Sequence, residues 1–195
     1  GWVDHIARMW PVDGVVGENG GLWFFMSDGQ LQRRFLQSTS ERKKNRHRLD
    51  AAAASILGSV PGTALASDQP YRELDLAVDF CEDVPALPDS AIDQIVDGFE
   101  KVGATCKVSS IHVNGWFGDF DKAKGCERFL EDRFGEELKD NLDRYAFFGD
   151  SANDEPLFAT FGLSIGVANV QEFLPRMKTA PRFITRGNGG HGFAE

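Results

Sequence analysis

Two carboxylates and an amide follow an apolar run in the last third of the chain, in the segment Asp150-Ser151-Ala152-Asn153-Asp154. In open α/β sheets, ligands bind at the carboxyl ends of the strands, so side chains placed here can meet a ligand. Asp150 and Asp154 can face one site if a helix begins between them. Oxygen ligands of this kind suit Mg²⁺, which commonly combines one or two carboxylates with phosphate oxygens. The alternative interpretation is an ordinary loop in which an aspartate caps a helix.

A second candidate is Lys124, which lies in Asp121-Lys122-Ala123-Lys124-Gly125 at the predicted start of a helix. The helix dipole disfavours a cation in the first turn, and a bound phosphate nearby would compensate for it. Taken alone, a lysine at this position is more often a solvated surface side chain.

The elements that position these residues differ along the chain. Short apolar runs without alternation, at 145–148 and 163–167, are typical of strands buried on both faces of a parallel sheet, and the run at 12–16 is interpreted in the same way. Residues 71–80 instead alternate, with Leu74, Leu76, Val78 and Phe80 on one face, which is typical of an antiparallel strand with its other face in solvent. The pattern therefore predicts an α/β core interrupted by an α+β insert.

Local sequence features fix several boundaries. Asp28-Gly29 between two apolar runs predicts a hairpin, and Ser38 followed by Glu41 predicts a capping box at the start of a helix that ends at Pro61-Gly62. Further helices are expected at 88–102 and 121–134, each ended by a glycine. A strand is expected between these two helices, over 105–113.

Composition excludes several classes of protein. The net charge of −9 makes the chain a poor candidate for binding nucleic acid. No apolar run approaches the roughly 18 residues of a membrane span. Cys81, Cys106 and Cys126 are odd in number and widely spaced, which suits the cytoplasm better than a disulfide framework and gives no zinc-binding spacing.

The motifs together resemble the haloacid dehalogenase superfamily of phosphatases. Lys124-Gly125 is similar to the third motif of that superfamily, and Gly149 to Asp154 is similar to the fourth. Glu18-Asn19-Gly20 resembles the turn before the cap in the branch with a large α/β (type IIB) cap, which contains the sucrose-phosphate, mannosyl-3-phosphoglycerate and Cof-type sugar phosphatases. The segments 109–114 and 189–195 are also similar to that branch.

This resemblance implies a Rossmann-like α/β core with an inserted α+β cap domain. The core would comprise residues 1–35 and 115–195, and the cap residues 36–114. The implied function is a Mg²⁺-dependent phosphatase of a small phosphorylated metabolite, a sugar phosphate in this branch, that reacts through an aspartyl-phosphate intermediate. The oligomeric state is left open.

The resemblance also implies roles for individual residues. Asp150 and Asp154 would hold Mg²⁺, and Lys124 would screen charge on the phosphoryl group. Asn153 and Asp154 would orient the metal shell and the lysine, and Asn19 and Ser151 would contact substrate.

The family's nucleophile motif, Asp-x-Asp ahead of the Glu-Asn-Gly turn, has no counterpart in this sequence. Asp119-Phe120-Asp121 fits the spacing but comes just before Lys124, at the wrong place in the order. We therefore expect the sequence to be N-terminally incomplete, without the first strands of the core, and inactive by itself.

Two other functions stay open at this point. A pseudo-phosphatase that only binds a phosphorylated ligand or a partner would need no nucleophile. A GDSL-type esterase would use Ser151 as nucleophile and His191 as base, although that motif normally lies near the N-terminus.

The basic run from Arg42 to Arg48 and the aromatic pair Trp116-Phe117 each allow two interpretations. The run could face an anionic substrate, but it is more often the solvated face of a helix. The aromatic pair could wall a pocket, but packing in the core is the commoner role.

Overall fold

All residues, 1–195, are described in the structure, a computed structural model. The chain folds as two units, Gly1–Phe120 and Asp121–Glu195. The helices and strands of the first unit are α1 Trp2–Met9, β1 Val15–Gly17, β2 Leu22–Ser27, β3 Gln30–Phe35, α2 Thr39–Ser59, β4 Ala64–Leu65, β5 Asp75–Asp79, α3 Asp89–Lys101, β6 Thr105–Val108 and β7 His112–Trp116. Those of the second are α4 Lys122–Phe134, β8 Ala146–Gly149, α5 Glu155–Thr160, β9 Leu163–Gly166, β10 Phe183–Ile184 and α6 Gly189–Ala194.

The first unit contains two antiparallel sheets. One has the order β1-β2-β3, and its predicted hairpin turns at Asp28 and Gly29, which have φ of 49° and 73°. Both residues are left-handed, as a tight two-residue hairpin turn requires. The run at 12–16, interpreted from sequence as a parallel strand, instead contributes β1, which pairs antiparallel to β2. A short apolar run does not reveal strand direction, because direction depends on the partner.

The second sheet of this unit has the order β4-β5-β7-β6 and packs under α2 and α3. The predicted single strand over 105–113 is two strands, because Ser109 to Ile111 turn the chain between β6 and β7. The capping box of α2 is present: the backbone N–H of Ser38 donates to the Glu41 carboxylate, and the Glu41 N–H donates to Ser38 Oγ.

Two hydrophobic cores stabilise the first unit. The apolar faces of α2 and α3 meet one face of the β4-β5-β7-β6 sheet, and the residues buried there include Leu49, Ile56, Leu76, Val78, Ile95, Phe99 and Val113. The second core joins α1 and β2 to the ends of β5 and β7 through Ala7, Leu22, Phe24, Leu74, Trp116 and Phe120. Trp116 is 1% exposed, so it has the packing role.

The second unit is a parallel sheet of order β8-β9-β10. The prediction of parallel strands at 145–148 and 163–167 is confirmed, but the prediction that both faces are buried is wrong. Phe148 is 38% exposed and Leu163 is 46% exposed. The core of this unit covers the other face, where Leu130, Leu138, Leu157 and Phe161 are buried. Apolarity predicted the strands, but it does not determine which faces are covered.

The division into a core at 1–35 and 115–195 and a cap at 36–114 stays a prediction. The three cysteines are unpaired, as expected, and the cytoplasmic location inferred from them stays a prediction. No helix in the structure combines the length and the apolar character that crossing a membrane requires.

Candidate active site

The segment Asp150–Asp154 lies at the carboxyl end of β8, as the sequence predicts. A short 3-10 turn at Ala152–Asp154 leads into α5, which begins at Glu155. Pro156 in the first turn of α5 favours this start. Backbone N–H groups in the first turn have no partner within the helix, so the N–H that proline lacks is not missed there. The helix therefore begins after Asp154, and the turn between Asp150 and Asp154 brings the two residues close in space.

Asp154 organises this loop from within. It is 6% exposed, and its Oδ2 accepts the backbone N–H of Asp150 at 2.9 Å and that of Ser151 at 3.4 Å. These bonds satisfy backbone donors that would otherwise lie buried and unpaired. Asp154 therefore caps the backbone N–H groups of this loop, which is the role that the alternative interpretation of the sequence gave to an aspartate here.

A lysine contacts this loop, and it is Lys122. Its Nζ lies 2.5 Å from Oδ1 of Asp154 and 3.0 Å from Oδ1 of Asn153. Asp121 is the N-cap of α4 and accepts the backbone N–H of Lys124 at 2.9 Å, which places Lys122 first in the helix. The structure thus brings together Lys122, Asn153 and Asp154, whereas sequence reasoning had selected Lys124.

Asp150 differs from Asp154 in its surroundings. Its side chain is exposed and makes no hydrogen bond or ion pair within the protein. Both oxygens of Asp154 and Oδ1 of Asn153 already accept hydrogen bonds within the protein, so the free carboxylate of Asp150 is the group of this loop that fits Mg²⁺. No group of three or more His, Cys, Asp or Glu side chains is arranged around a metal position. These residues could therefore supply only part of a coordination shell, and phosphate oxygens or waters would complete it.

Ser151 is 4% exposed, and its Oγ lies 2.9 Å from Oδ1 of Asn153 as a hydrogen-bond donor. His191, the base of the esterase alternative, is exposed on α6 and is not a partner of Ser151. A buried serine whose hydroxyl donates to an amide oxygen lacks the base that nucleophilic catalysis requires. The geometry gives the esterase alternative no support.

Asn19, predicted to contact substrate, lies in the first unit. Glu18 and Asn19 have φ of 47° and 55°, two consecutive left-handed residues that are not glycine. Such conformations are strained and persist where neighbouring contacts hold them. Here the Asn19 Nδ2 donates to Oδ2 of Asp75 at 2.8 Å, which fixes the turn against β5.

The Glu18 carboxylate anchors the same turn. It accepts the backbone N–H groups of Glu73, Leu74 and Asp75 at 2.9, 2.5 and 3.2 Å. Burial, and then the negative charge of Asp75, raise the pKa of Glu18 to about 7 in spite of these hydrogen bonds, which lower it. Burial also raises the pKa of Asp75, against the opposing effect of the Arg72 guanidinium.

The basic run of α2 is used in packing. The Arg42 guanidinium lies 3.7 Å from the centroid of the Phe35 ring, and that of Arg48 lies 3.5 Å from the Phe117 ring. Arg46 donates to the backbone carbonyls of Arg72 and Asp75. The sequence left open whether this run faces a substrate or solvent. In the structure, three of its arginines instead contact aromatic rings or backbone carbonyls of the first unit.

The sequence analysis selected Lys124 rather than Lys122 because Lys124-Gly125 is similar to the third motif of the superfamily. One feature could have found it: an N-cap aspartate at 121 makes residue 122 the first of the helix. The contact with Asp154 itself depends on the packing of α4 beside the β8 loop, which no local pattern encodes.

The chain belongs to the haloacid dehalogenase-like hydrolases, since the model of that family matches residues 88–195. Among solved structures it is similar to protein 0175 of Thermoplasma acidophilum, with 18% identity, 98% of this chain and 74% of that chain covered, and a TM-score of 0.64. A sucrose-phosphatase from Synechocystis sp. PCC6803, solved with sucrose and phosphate, has 17% identity, coverages of 93% and 71%, and a TM-score of 0.62.

A third similar structure is a sugar phosphatase of subclass IIB, with 11% identity, coverages of 94% and 74%, and a TM-score of 0.56. At these identities the likeness establishes the fold alone. No curated protein matches the chain. The predicted membership of the haloacid dehalogenase superfamily and the α/β fold class are confirmed.

Proposed function

We propose that the protein is a Mg²⁺-dependent phosphatase of a small phosphorylated metabolite, with a sugar phosphate as substrate and an aspartyl-phosphate intermediate. The observation that carries the proposal is the contact of Lys122 Nζ with Asp154 and Asn153 at the carboxyl end of β8. Lys122 is a cation held in place at the loop that carries the free carboxylate of Asp150, and phosphoryl transfer is catalysed mainly by positioning and charge neutralisation. The sugar phosphatases among the similar structures support the substrate class.

Each residue of the loop has a proposed role. Lys122 screens negative charge on the phosphoryl group, and Asp154 and Asn153 hold its ammonium group in place. This gives Lys122 the role that the sequence assigned to Lys124. Asp150 would hold Mg²⁺, which would neutralise charge at the phosphoryl oxygens. Asp154 supports this position indirectly, because its Oδ2 accepts the backbone N–H of Asp150. Ser151 is buried and holds the Asn153 side chain in place through the hydrogen bond that its hydroxyl donates to Oδ1.

In the proposed reaction an aspartate carboxylate attacks phosphorus as the ester P–O bond breaks, and water then hydrolyses the acyl phosphate. No Asp-x-Asp pair precedes the Glu18 turn in this sequence. We therefore expect residues 1–195 alone to bind phosphate but not to turn over a phosphate ester.

Calorimetric binding of inorganic phosphate to the 195-residue chain, with and without Mg²⁺, tests the proposal. We expect binding that requires Mg²⁺ and is lost in Asp150→Ala, while the exposed Asp143→Ala on the same unit behaves as wild type. Mg²⁺-independent binding, or equal loss in both variants, would refute the role of Asp150. Turnover of a sugar-phosphate panel by the product of the complete gene then tests the reaction itself.

Lys122→Met and Lys124→Met, compared in the same phosphate-binding measurement, decide between the two lysines. We expect the larger loss of affinity for Lys122→Met. The opposite order would return the role to Lys124.

A further inference from the structure

The helices α2 and α3 form a layer over one face of the β4-β5-β7-β6 sheet, and their inner sides pack into the core there. The polar residues on the other face of the sheet are buried, contrary to the sequence expectation of a half-solvated strand: Asp75 and Asp79 are both 0% exposed. The Arg72 Nη1 donates to Oδ1 of Asp75 at 3.1 Å and to Oδ1 of Asn114 at 3.2 Å, so polar groups of that face pair with each other. The outer side of α2 and α3 is instead exposed to solvent.

A groove of about 580 Å³ runs between the two helices on this outer side. At its floor, a Cβ added to Gly98 would lie 2.5 Å from Cγ1 of Ile56, so the helices are in close contact beneath it. Ala51, Ser55 and Ser59 line the α2 side and are exposed, small and uncharged. Short side chains leave room for a helix of another molecule to approach to about 8–10 Å between axes.

One end of the groove is basic. Here the N-terminal half of α2 lies beside the C-terminal end of α3, because Nη2 of Arg48 donates to the backbone carbonyl of Val102 at 3.4 Å. Lys44, one turn before Arg48, and Lys101 are exposed and have no ion pair within the chain. Arg48 also keeps its positive charge, since its contacts are with an aromatic ring and a carbonyl.

The opposite end of the groove is negative. Asp93 and Asp97 lie two turns and one turn before Lys101, so the three side chains share one side of α3. Both aspartates are exposed and have no ion pair within the chain. The C-terminal end of α2, at Ser59, lies at this end too, and a helix C-terminus carries about half a negative charge.

This distribution of charge is complementary to a second copy of the same surface. If a two-fold axis runs across the helices, each helix lies antiparallel to its counterpart, and the basic end of each copy meets the negative end of the other. Lys101 of one copy then lies near Asp93 of the other, and Arg48 near the C-terminal end of the other α2. A partner carrying charge of one sign would be repelled at one end of the groove.

The area of the layer suits a weak dimer. The α2 helix has 21 residues, so it is about 31 Å long. Two helices packed side by side span about 20 Å. A face of this size buries about 600 Å² on each copy, which is at the low end for specific interfaces.

We propose that the outer faces of α2 and α3 form the contact surface of a symmetric homodimer, with the groove at its centre and a pair of Lys101–Asp93 contacts related by the two-fold axis. The surface is built from the first unit alone, so the proposal does not depend on the proposed phosphatase activity.

Sedimentation velocity of the 195-residue chain at low ionic strength, over about 1 to 500 µM, tests the proposal. We expect a reversible equilibrium between monomer and dimer with a Kd in the micromolar range. A chain that stays monomeric at about 500 µM would overturn the proposal and leave the groove to a partner of different chemistry.

A matched pair of substitutions locates the contact. Ala51→Arg places a long, charged side chain in the groove and should weaken dimerisation at least about tenfold. Ala159→Arg, at an exposed position of α5 in the second unit, should not. Tryptophan fluorescence checks that each variant is folded. Unchanged dimerisation of folded Ala51→Arg would refute the location.

Charge reversal tests the antiparallel arrangement, and it does so even if Ala51→Arg fails to fold. Lys101→Asp and Asp93→Lys each place like charges at both symmetric contacts, so each variant alone should dimerise at least about tenfold more weakly. An equal mixture of the two variants should dimerise again, because each substituted side chain then faces an opposite charge. A mixture that dimerises no better than the separate variants would overturn the arrangement.

Discussion

The ammonium nitrogen of Lys122 lies 2.5 Å from Oδ1 of Asp154, although the two residues are 32 positions apart in the chain. Asp154 uses its other oxygen to cap the loop after β8, so one buried carboxylate joins the start of α4 to the end of a parallel strand. This arrangement makes the lysine part of the framework of the second unit as well as a candidate for binding phosphate.

Removing the Lys122 charge should therefore destabilise the second unit. Lys122→Met leaves Asp154 buried with one donor fewer, and we expect a loss of about 1–3 kcal/mol in the free energy of unfolding. Hydrogen exchange of the α4 and β8 amides measures it. Lys139→Met, which removes an exposed ion pair with Glu137 in the same unit, should change these rates much less. If the α4 and β8 amides are equally protected from hydrogen exchange in Lys122→Met and Lys139→Met, the structural role of Lys122 is contradicted.

Substitutions of Asp150 and Asp154 should change the free energy of unfolding by different amounts. Asp154→Ala removes two caps of the loop and should cost about 1–2 kcal/mol. Asp150→Ala, at an exposed carboxylate without partners, should stay within about 0.5 kcal/mol of wild type. The same hydrogen-exchange experiment measures both, and a large loss in Asp150→Ala would mean that its carboxylate has a structural role.

Glu18 should make the stability of the first unit depend on pH. Its pKa is raised in the folded state to about 7, so the folded state holds the proton more tightly than the unfolded chain. The free energy of unfolding of wild type relative to Glu18→Gln should therefore fall as the pH rises from the ordinary glutamate range to about 7, and change little above it. All four tryptophans lie in the first unit, so tryptophan fluorescence during urea unfolding reports on it. If the free energy of unfolding of wild type relative to Glu18→Gln rises with pH, the raised pKa of Glu18 is contradicted.

The basic run of α2 should contribute to stability through Arg42. The guanidinium of Arg42 stacks on Phe35, whereas Lys43 is exposed and has no partner in the structure. We expect Arg42→Ala to lower the free energy of unfolding by about 0.5–1 kcal/mol and Lys43→Ala to leave it nearly unchanged. Tryptophan fluorescence again gives the measurement. Equal effects would mean that the run acts only as a solvated helix face.

Two glycines should respond in opposite directions to alanine. A Cβ at Gly115 would lie 2.4 Å from the Phe99 ring, deep in the core, so Gly115→Ala should cost about 1–3 kcal/mol. Gly58, in α2, has open space around the same position, so Gly58→Ala should stabilise by about 0.5–1 kcal/mol. Thermal unfolding of the two variants checks both signs, and a stable Gly115→Ala would mean that the core around Phe99 is looser than described.

Much of the fold was predictable because its causes are local. The hairpin at Asp28-Gly29, the capping box at Ser38 and the helix stop at Gly135, which has φ of 68°, all depend on residues within a few positions of each other. The burial of Asp75 was not predictable in this way, because it depends on contacts with distant residues. The turn between β6 and β7 is held locally, by hydrogen bonds between Ser109 and His112, but no Asp-Gly or Asn-Gly pair marks it in the sequence.

The sequence by itself determined the family resemblance, the parallel strands of the second unit and the position of the Asp150–Asp154 loop. Those features follow from residue types in a short, ordered stretch of chain. Only the tertiary structure decided that Lys122 meets Asp154, that Arg72 joins Asp75 to Asn114, and that the basic side chains of α2 pack on aromatic rings. Each of these contacts joins residues from separate elements, and distance and orientation between elements are set by the packing of the whole unit rather than by any local pattern.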